Sequence, residues 1–253
     1  MQKPMLVTGG TGTLGKAVVR RLLDAGNDVR VLSRRPRPAD VPHGWATGDL
    51  STGEGIAAAT SGVDAIVHCA TTLGRKDVAA TQRLIDAARR NGDPHLIYIS
   101  IVGVDQVPLF YYRAKFAAEK RVAGSGLPWT ILRTTQFHDL VARMTSVQRR
   151  SPVIGALAGV NFQPIDVRDV ADRLAELAVG EPAGRVPDIG GPEIRSHRDL
   201  ARAYLDSTGH RRILLPVWLP GAAFAGYRRG GHLAPDQAVG RITFDELLAE
   251  CKA

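Results

Sequence analysis

The chain is poor in the features that staple small folds, bind metals or cross membranes. Its 253 residues include two cysteines, Cys69 and Cys251, which provide neither a disulfide framework nor a metal-ligand cluster. The histidines lack ligand spacing, so no metal site is expected. The longest apolar stretch, residues 213–226, is too short for a membrane span and is broken by Pro216 and Pro220. The first strand pattern starts at once and leaves no room for a signal peptide. No repeat or low-complexity tract is visible. The reading is a soluble, cytoplasmic globular protein, long enough for one sizeable core at 44% hydrophobic and 23% charged residues. The formal charge is +8, but the arginines come as scattered pairs (20–21, 34–35, 89–90, 149–150, 211–212, 228–229) and make no stripe for nucleic acid. Apart from Arg34-Arg35 these pairs read as solvated surface, and a positive field would also attract an anionic ligand.

Residues 5–15 read MLVTGGTGTLG. An apolar run leads through Thr8 into Gly9, Gly12 and Gly15, and an amphipathic helix follows through Thr13, Leu14, Val18, Val19, Leu22 and Leu23. This order, strand then glycine turn then helix N-terminus, lets backbone N–H groups and the positive end of the helix dipole meet a pyrophosphate. Gly9 is assigned to the tight turn, Gly12 to close approach of the ligand, and Gly15 to close packing of helix on strand. Residues 28–34 read as the second strand. It ends in Ser33-Arg34-Arg35, without the acid that would bind an adenosine ribose. A guanidinium can pair with a 2′-phosphate and Ser33 can donate another bond, so NADP(H) is expected rather than NAD(H). Asp49-Leu50 is placed to hold an adenine edge, or Asp49 caps the next helix.

Further strands are expected at 45–48, 65–70, 95–100 and 129–134, with helices at 77–91 and 111–124. Apolar strands alternating with helices predict an α/β fold, a doubly wound parallel sheet covered on both faces. Beyond residue 136 the pattern loosens: a helix about 137–148, a loop 151–159, a strand 162–167, a helix 167–179 and a last strand 186–189. Ser196 is positioned to cap a helix ending at Ser207, and residues 243–246 have capping-box spacing. The expected organisation is one domain: a core of about 1–136 plus 160–190, and a small C-terminal substrate lobe of about 137–159 and 191–253.

TGGTGTLG at 8–15, GDL at 48–50, HCAT at 68–71 and a Tyr-x-x-x-Lys at 111–115 together resemble the short-chain dehydrogenase/reductase superfamily. YISIVGVD at 98–105, LRTTQFHD at 132–139, IDVRDVA at 165–171 and GGPE at 190–193 are similar to its atypical, NmrA-like NAD(P)H-binding group. The resemblance implies a Rossmann sheet. It also implies Tyr111 as proton donor to a substrate carbonyl and Lys115 as the cation that lowers the tyrosine's pKa and holds the nicotinamide ribose. Ser100 would polarise the carbonyl. Cys69, Ala70 and Thr71, together with Thr135 in the segment 134–137, would line the cofactor. The chain departs from the superfamily at His68-Cys69-Ala70-Thr71, where Asn-Asn-Ala-Gly is usual, and shows no counterpart of the helical Asn in 77–90. An alternative register puts Ile101 at the serine position. Thr134-Thr135 could instead cap the next helix. His138 and Asp139 read as surface residues, and Trp218, Leu219, Phe224 and Tyr227 as small-lobe packing rather than an apolar lid. The expected function is an NADPH-dependent reductase of a small carbonyl or quinone, monomeric or homodimeric, without nucleic-acid or membrane partners. The alternatives are a non-catalytic NADP(H) sensor and, fitting less well, a nucleotide-sugar epimerase or dehydratase.

Overall fold

The computed structural model describes residues 4–72, 74–148 and 150–251. Its first elements are β1 Met5–Thr8, α1 Thr13–Asp24, β2 Val29–Ser33, β3 Gly44–Thr47, α2 Ile56–Thr60, β4 Ala65–His68, α3 Lys76–Arg90, β5 His95–Ile101, α4 Phe110–Ala123 and β6 Trp129–Thr134. There follow α5 His138–Ser146, β7 Val153–Leu157, β8 Asn161–Phe162, α6 Val167–Val179, β9 Gly184–Arg185, β10 Arg195–Ser196, α7 His197–Ser207, β11 Ile213–Val217, α8 Ala222–Arg228 and α9 Phe244–Glu250. None of these helices is long and apolar enough to cross a membrane.

A seven-stranded sheet runs in the order β3-β2-β1-β4-β5-β6-β9. The pairings of β1 with β2 and β4, of β4 with β5, and of β6 with β9 are parallel. The order reverses between β1 and β4, the switch point at which Rossmann sheets bind ligands beyond their strand C-termini. All four residues of β1 and of β4 are buried, as a sheet covered on both faces requires. Leu14, Val18 and Leu22 of α1 recur every four residues and are buried. Leu6, Ile66, Leu84, Leu96, Tyr98 and Ala118 belong to one core cluster on this sheet.

The chain divides into two compact units. The first takes in the described residues of Met1–Ser100, Phe110–Leu132 and Val170–Pro187. The second comprises Ile101–Leu109, Arg133–Asp169 and the described residues of Asp188–Ala253. In the second unit Val141, Phe162, Leu200 and Phe244 form a core. Gln163 stitches it together, donating to the carbonyls of Gly191 and Ala234 and accepting from Ala234 N–H.

Several local readings are corrected. Residues 151–159 are not a loop: β7 lies there and pairs in parallel with β11, which takes the start of the apolar stretch 213–226. The partners are 60 residues apart, so no local pattern reveals them. The strand expected at 162–167 shrinks to β8, after which Asp166 accepts from Arg168 N–H and opens α6. The strand expected at 186–189 forms two residues upstream as β9, the edge of the seven-stranded sheet, and two further strands, β10 and β11, follow it. The helix expected after Asp49 is the short α2, whose five residues follow Gly55, at φ 71°. The expected caps do form: Ser196 accepts from Asp199 N–H, and Thr243 and Glu246 make a capping box.

Burial holds three histidines neutral. His68 is pushed down to about 3, and His197 and His232 to about 4, burial being the largest cause for each. In the unfolded chain these rings titrate near the ordinary value of about 6.5. Below that pH the unfolded state binds more protons, so stability is full above about 6.5 and falls as pH drops toward 4 and then 3. The melting temperature should decline steadily over that window; a melting temperature unchanged between pH 7 and 4, about the limits of histidine titration here, would contradict this.

Candidate active site

The site is built at the C-terminal ends of β1, β4 and β5, all within the first unit. After β1 the chain turns through Gly9 at φ 70°, a left-handed conformation that favours glycine. A Cβ on Gly9 would lie 2.7 Å from Ala70 N, so Gly9 also lets the segment after β4 approach the turn. A Cβ on Gly15 would lie 2.1 Å from the Gly9 carbonyl oxygen, which forces glycine there. Gly12 differs. It has an ordinary φ of −83° as the residue preceding α1, and a Cβ would meet only the Gly9 oxygen at 3.3 Å. Thr11, Gly12 and Thr13 are exposed while Leu14 and Gly15 are buried. The first helical bond runs from Lys16 N–H to Gly12, so the N–H groups of Thr13, Leu14 and Gly15 have no partner within the helix. This surface fits an anion.

Beyond β2, the buried Ser33 accepts from Arg35 N–H at 3.1 Å, and Trp45 donates to the Arg35 carbonyl at 3.0 Å. These bonds fix the backbone that carries Arg34 and Arg35, whose side chains are exposed. Asp49 does not cap α2, which starts after Gly55; its Oδ1 accepts from Ser51 N–H at 2.7 Å in a tight turn. That bond is the main cause of its lowered pKa, and the Arg34 charge adds to it. Leu50 is half-buried against the core.

After β4 the HCAT segment is anchored by its histidine. The buried His68 bridges Thr8 Oγ1 at 2.7 Å and Thr81 Oγ1 at 3.0 Å, joining the ends of β1 and β4 to α3. Cys69 is half-buried, and burial of its thiol pushes the pKa up to about 12; such a thiol is no nucleophile at neutral pH. Thr71 Oγ1 donates to Asp77 Oδ2 at 2.7 Å and contacts the Tyr111 hydroxyl at 3.2 Å. Asp77, buried in the first turn of α3, also accepts from the backbone and hydroxyl of Thr72. The sequence reading missed His68 and Asp77; the available signals were a histidine in an apolar strand and an acid one turn into a helix.

Tyr111 and Lys115 stand one turn apart on α4. Lys115 is buried, donates to the Ile99 carbonyl at 2.7 Å, and lies 4.1 Å from the centre of the Tyr98 ring. Burial lowers its pKa to about 8, against the opposing charges of Asp77, Cys69 and Glu119. Ser100 follows Ile99, 1% exposed, and its hydroxyl has no hydrogen-bond partner among the described residues. A buried hydroxyl without a partner is uncommon and fits a polar group arriving from outside the chain. One expectation is reversed: the Tyr111 pKa is raised, not lowered. Burial is the largest cause; a hydrogen bond donated by Thr71 would oppose it, and Asp77 and Tyr112 add to it.

A family model described as NAD(P)H-binding matches residues 9–179, from the glycine turn through α6. This chain belongs to the NAD(P)H-binding family. A (4-alkanoyl-5-oxo-2,5-dihydrofuran-3-yl)methyl phosphate reductase of Streptomyces griseus is 32% identical over 206 residues, 77% of this chain and 70% of its own. Photosystem II assembly factor Ycf39 of Trieres chinensis is 29% identical over 204 residues, 74% of this chain and 63% of its own. Another curated relative is spanned over about half its length, 51%. An NADPH-dependent quinone oxidoreductase of Escherichia coli, QOR2, solved with NADPH, superposes with a TM-score of 0.84 at 18% identity over 98% of this chain and 99% of its own. At that identity the likeness is one of fold.

Other residues singled out in this NAD(P)H-binding chain lie in the second unit. Thr134 and Thr135 are buried and do not cap α5, whose preceding residue is Phe137. Thr135 Oγ1 accepts from Gly191 N–H at 3.3 Å. His138 is not a surface residue: it is 1% exposed and bonds the Ile242 carbonyl at 2.9 Å, while Asp139 is exposed. Tyr227 packs on the core as expected, but Trp218 is 64% exposed beneath the Arg228 guanidinium.

Lys115 sets an alkaline limit. Its charge is present below about pH 8 and lost above it, whereas Tyr111 ionises later, above its ordinary value. If the ammonium is needed, kcat/KM should fall as pH rises through about 8, and Lys115→Arg should move that limb upward. A limb unmoved by Lys115→Arg would contradict this.

Proposed function

We propose that this chain binds NADPH and reduces a small carbonyl or quinone by hydride transfer, with Tyr111 as proton donor. The observation that carries the reading is the gathering at these strand ends of an anion-accepting glycine turn, the Tyr111 hydroxyl held 3.2 Å from Thr71, the buried Lys115 on the Ile99 carbonyl, and the buried unpartnered Ser100 hydroxyl. Bound NADPH would supply the hydride. Tyr111 would give its proton to the substrate oxygen as negative charge develops there, and Ser100 would donate a hydrogen bond to that oxygen. The Lys115 charge would stabilise the phenolate left behind and hold a ribose hydroxyl. Gly12, Thr13, Leu14 and Gly15 would face the pyrophosphate, and Cys69, Ala70 and Thr71 would line the nicotinamide half. These roles follow the short-chain dehydrogenase/reductase resemblance, NmrA-like branch, and the reductase relative supports the reading of an oxidoreductase.

Arg34 and Arg35, with Ser33, would bind the 2′-phosphate that separates NADPH from NADH. Converting either arginine to Ala should weaken NADPH roughly 10- to 100-fold, the value of a charged hydrogen bond, and leave NADH nearly unchanged. Calorimetric titration with both nucleotides checks this; equal losses would remove the phosphate role.

A sensor without turnover is the second reading, favoured by the relative named as an assembly factor and by the absent helical Asn. NADPH absorbance followed with a panel of quinones and small aldehydes decides between them. Acceptor-dependent oxidation supports the reductase. Tight NADPH binding with no oxidation by any acceptor would favour the sensor.

A further inference from the structure

Thr71 has one hydroxyl proton, and it lies on the bond to Asp77 Oδ2. At the 3.2 Å contact the Thr71 oxygen is therefore the acceptor and the Tyr111 O–H the donor. The chain has one direction: Tyr111 O–H to Thr71, Thr71 O–H to the Asp77 carboxylate. Asp77 is itself held by Thr72 N–H and the Thr72 hydroxyl at 2.6 Å, in the first turn of α3 where the helix dipole favours a negative charge. A phenolate at Tyr111 would face a Thr71 lone pair backed by that carboxylate. To donate to the phenolate, Thr71 would have to turn its proton away and leave a buried carboxylate oxygen without it, which is costly.

From this geometry we infer that Asp77, acting through the Thr71 hydroxyl, is a positioning residue that keeps Tyr111 as a phenol and so biases the site toward proton donation, that is, toward reduction over alcohol oxidation. The inference rests on the reading of Tyr111 as proton donor. Around the pair stand Asp77 on α3, Tyr112, Lys115 and Glu119 on α4, Tyr98 on β5, and His68 and Cys69 at the end of β4. Lys115 is the one cation in this set, and its ammonium is bonded to the Ile99 carbonyl over the Tyr98 ring. A purely structural Asp77 would tie the segment after β4 to α3 and have no effect on Tyr111 ionisation.

The test is ultraviolet difference titration of the ligand-free protein, each variant measured against its own Tyr111→Phe counterpart so that the signal is Tyr111 alone. Asp77→Asn and Thr71→Val should each lower the Tyr111 midpoint by about one pH unit, a tenfold change in the ionisation constant. Thr71→Ser keeps the hydroxyl and should leave the midpoint in place. Thr71 is exposed, so Thr71→Val carries the test even if Asp77→Asn fails to fold. An unshifted midpoint in Thr71→Val, with turnover lost in Tyr111→Phe, would overturn the part played by Asp77 and leave the donor role standing. A shifted midpoint with turnover surviving in Tyr111→Phe would overturn the donor role, and with it the bias toward reduction.

Discussion

Tyr111→Phe is expected to lower turnover by roughly two to four orders of magnitude, the usual contribution of a positioned acid, while NADPH affinity stays near wild type. Phe keeps the ring and removes only the oxygen. Among the described residues that oxygen makes one hydrogen-bond contact, 3.2 Å to Thr71 Oγ1, while the bond from Thr71 to Asp77 survives. The stability cost should be about 1 kcal/mol, that of an ordinary hydrogen bond, and the glycine turn and arginines are untouched. Steady-state kinetics beside a calorimetric NADPH titration gives both numbers. Turnover equal to wild type would pass the proton-donor role to another group. A parallel collapse of affinity would instead mean that Tyr111 binds nucleotide.

The second large effect separates two glycines three residues apart. Gly15→Ala places a Cβ 2.1 Å from the Gly9 oxygen, 2.6 Å from its carbonyl carbon and 2.8 Å from Gly10 Cα. All are backbone atoms, so either the turn opens or α1 shifts, and overpacking of this kind costs typically 1–3 kcal/mol or more. Melting temperature and nucleotide affinity should fall together. Gly12→Ala meets only the Gly9 oxygen at 3.3 Å, with an ordinary φ. It should melt near wild type yet lose NADPH at least tenfold, about the 1.4 kcal/mol of one lost contact, because the added methyl would occupy the ligand's approach. Full affinity in Gly12→Ala would remove that role from Gly12.

What was legible in the sequence was whatever the backbone itself demands. Gly9 and Gly15 are glycine because a positive φ and a 2.1 Å approach allow nothing else, so their spacing announces the turn. β1 and β4 are buried on both faces and read as apolar runs that end in Thr8 and His68. Tyr111 and Lys115 declare themselves by helical spacing. What was not legible depends on side chains meeting across elements. His68 looks like a lone histidine until Thr8 and Thr81 are brought to its two nitrogens. Asp77 looks like a helix-favouring acid until Thr71 reaches it and links it to Tyr111. His138 sits beside an exposed aspartate, yet it is buried because a carbonyl 104 residues away receives it. The direction of the Tyr111 shift was misjudged for the same reason: an i+4 lysine was visible, and burial beside a carboxylate was not.

The central claim is hydride transfer from NADPH to a substrate carbon with a proton from the protein. The most direct test is transfer from NADPH deuterated at the nicotinamide C4, using the aldehyde of the acceptor panel that turns over fastest and reading the alcohol by mass spectrometry. The account predicts deuterium on the carbinol carbon, from one face of the nicotinamide only, with the rate of labelling collapsing in Tyr111→Phe. Alcohol formed without deuterium from either C4 position, or no oxidation of tightly bound NADPH by any aldehyde or quinone of the panel, would contradict it.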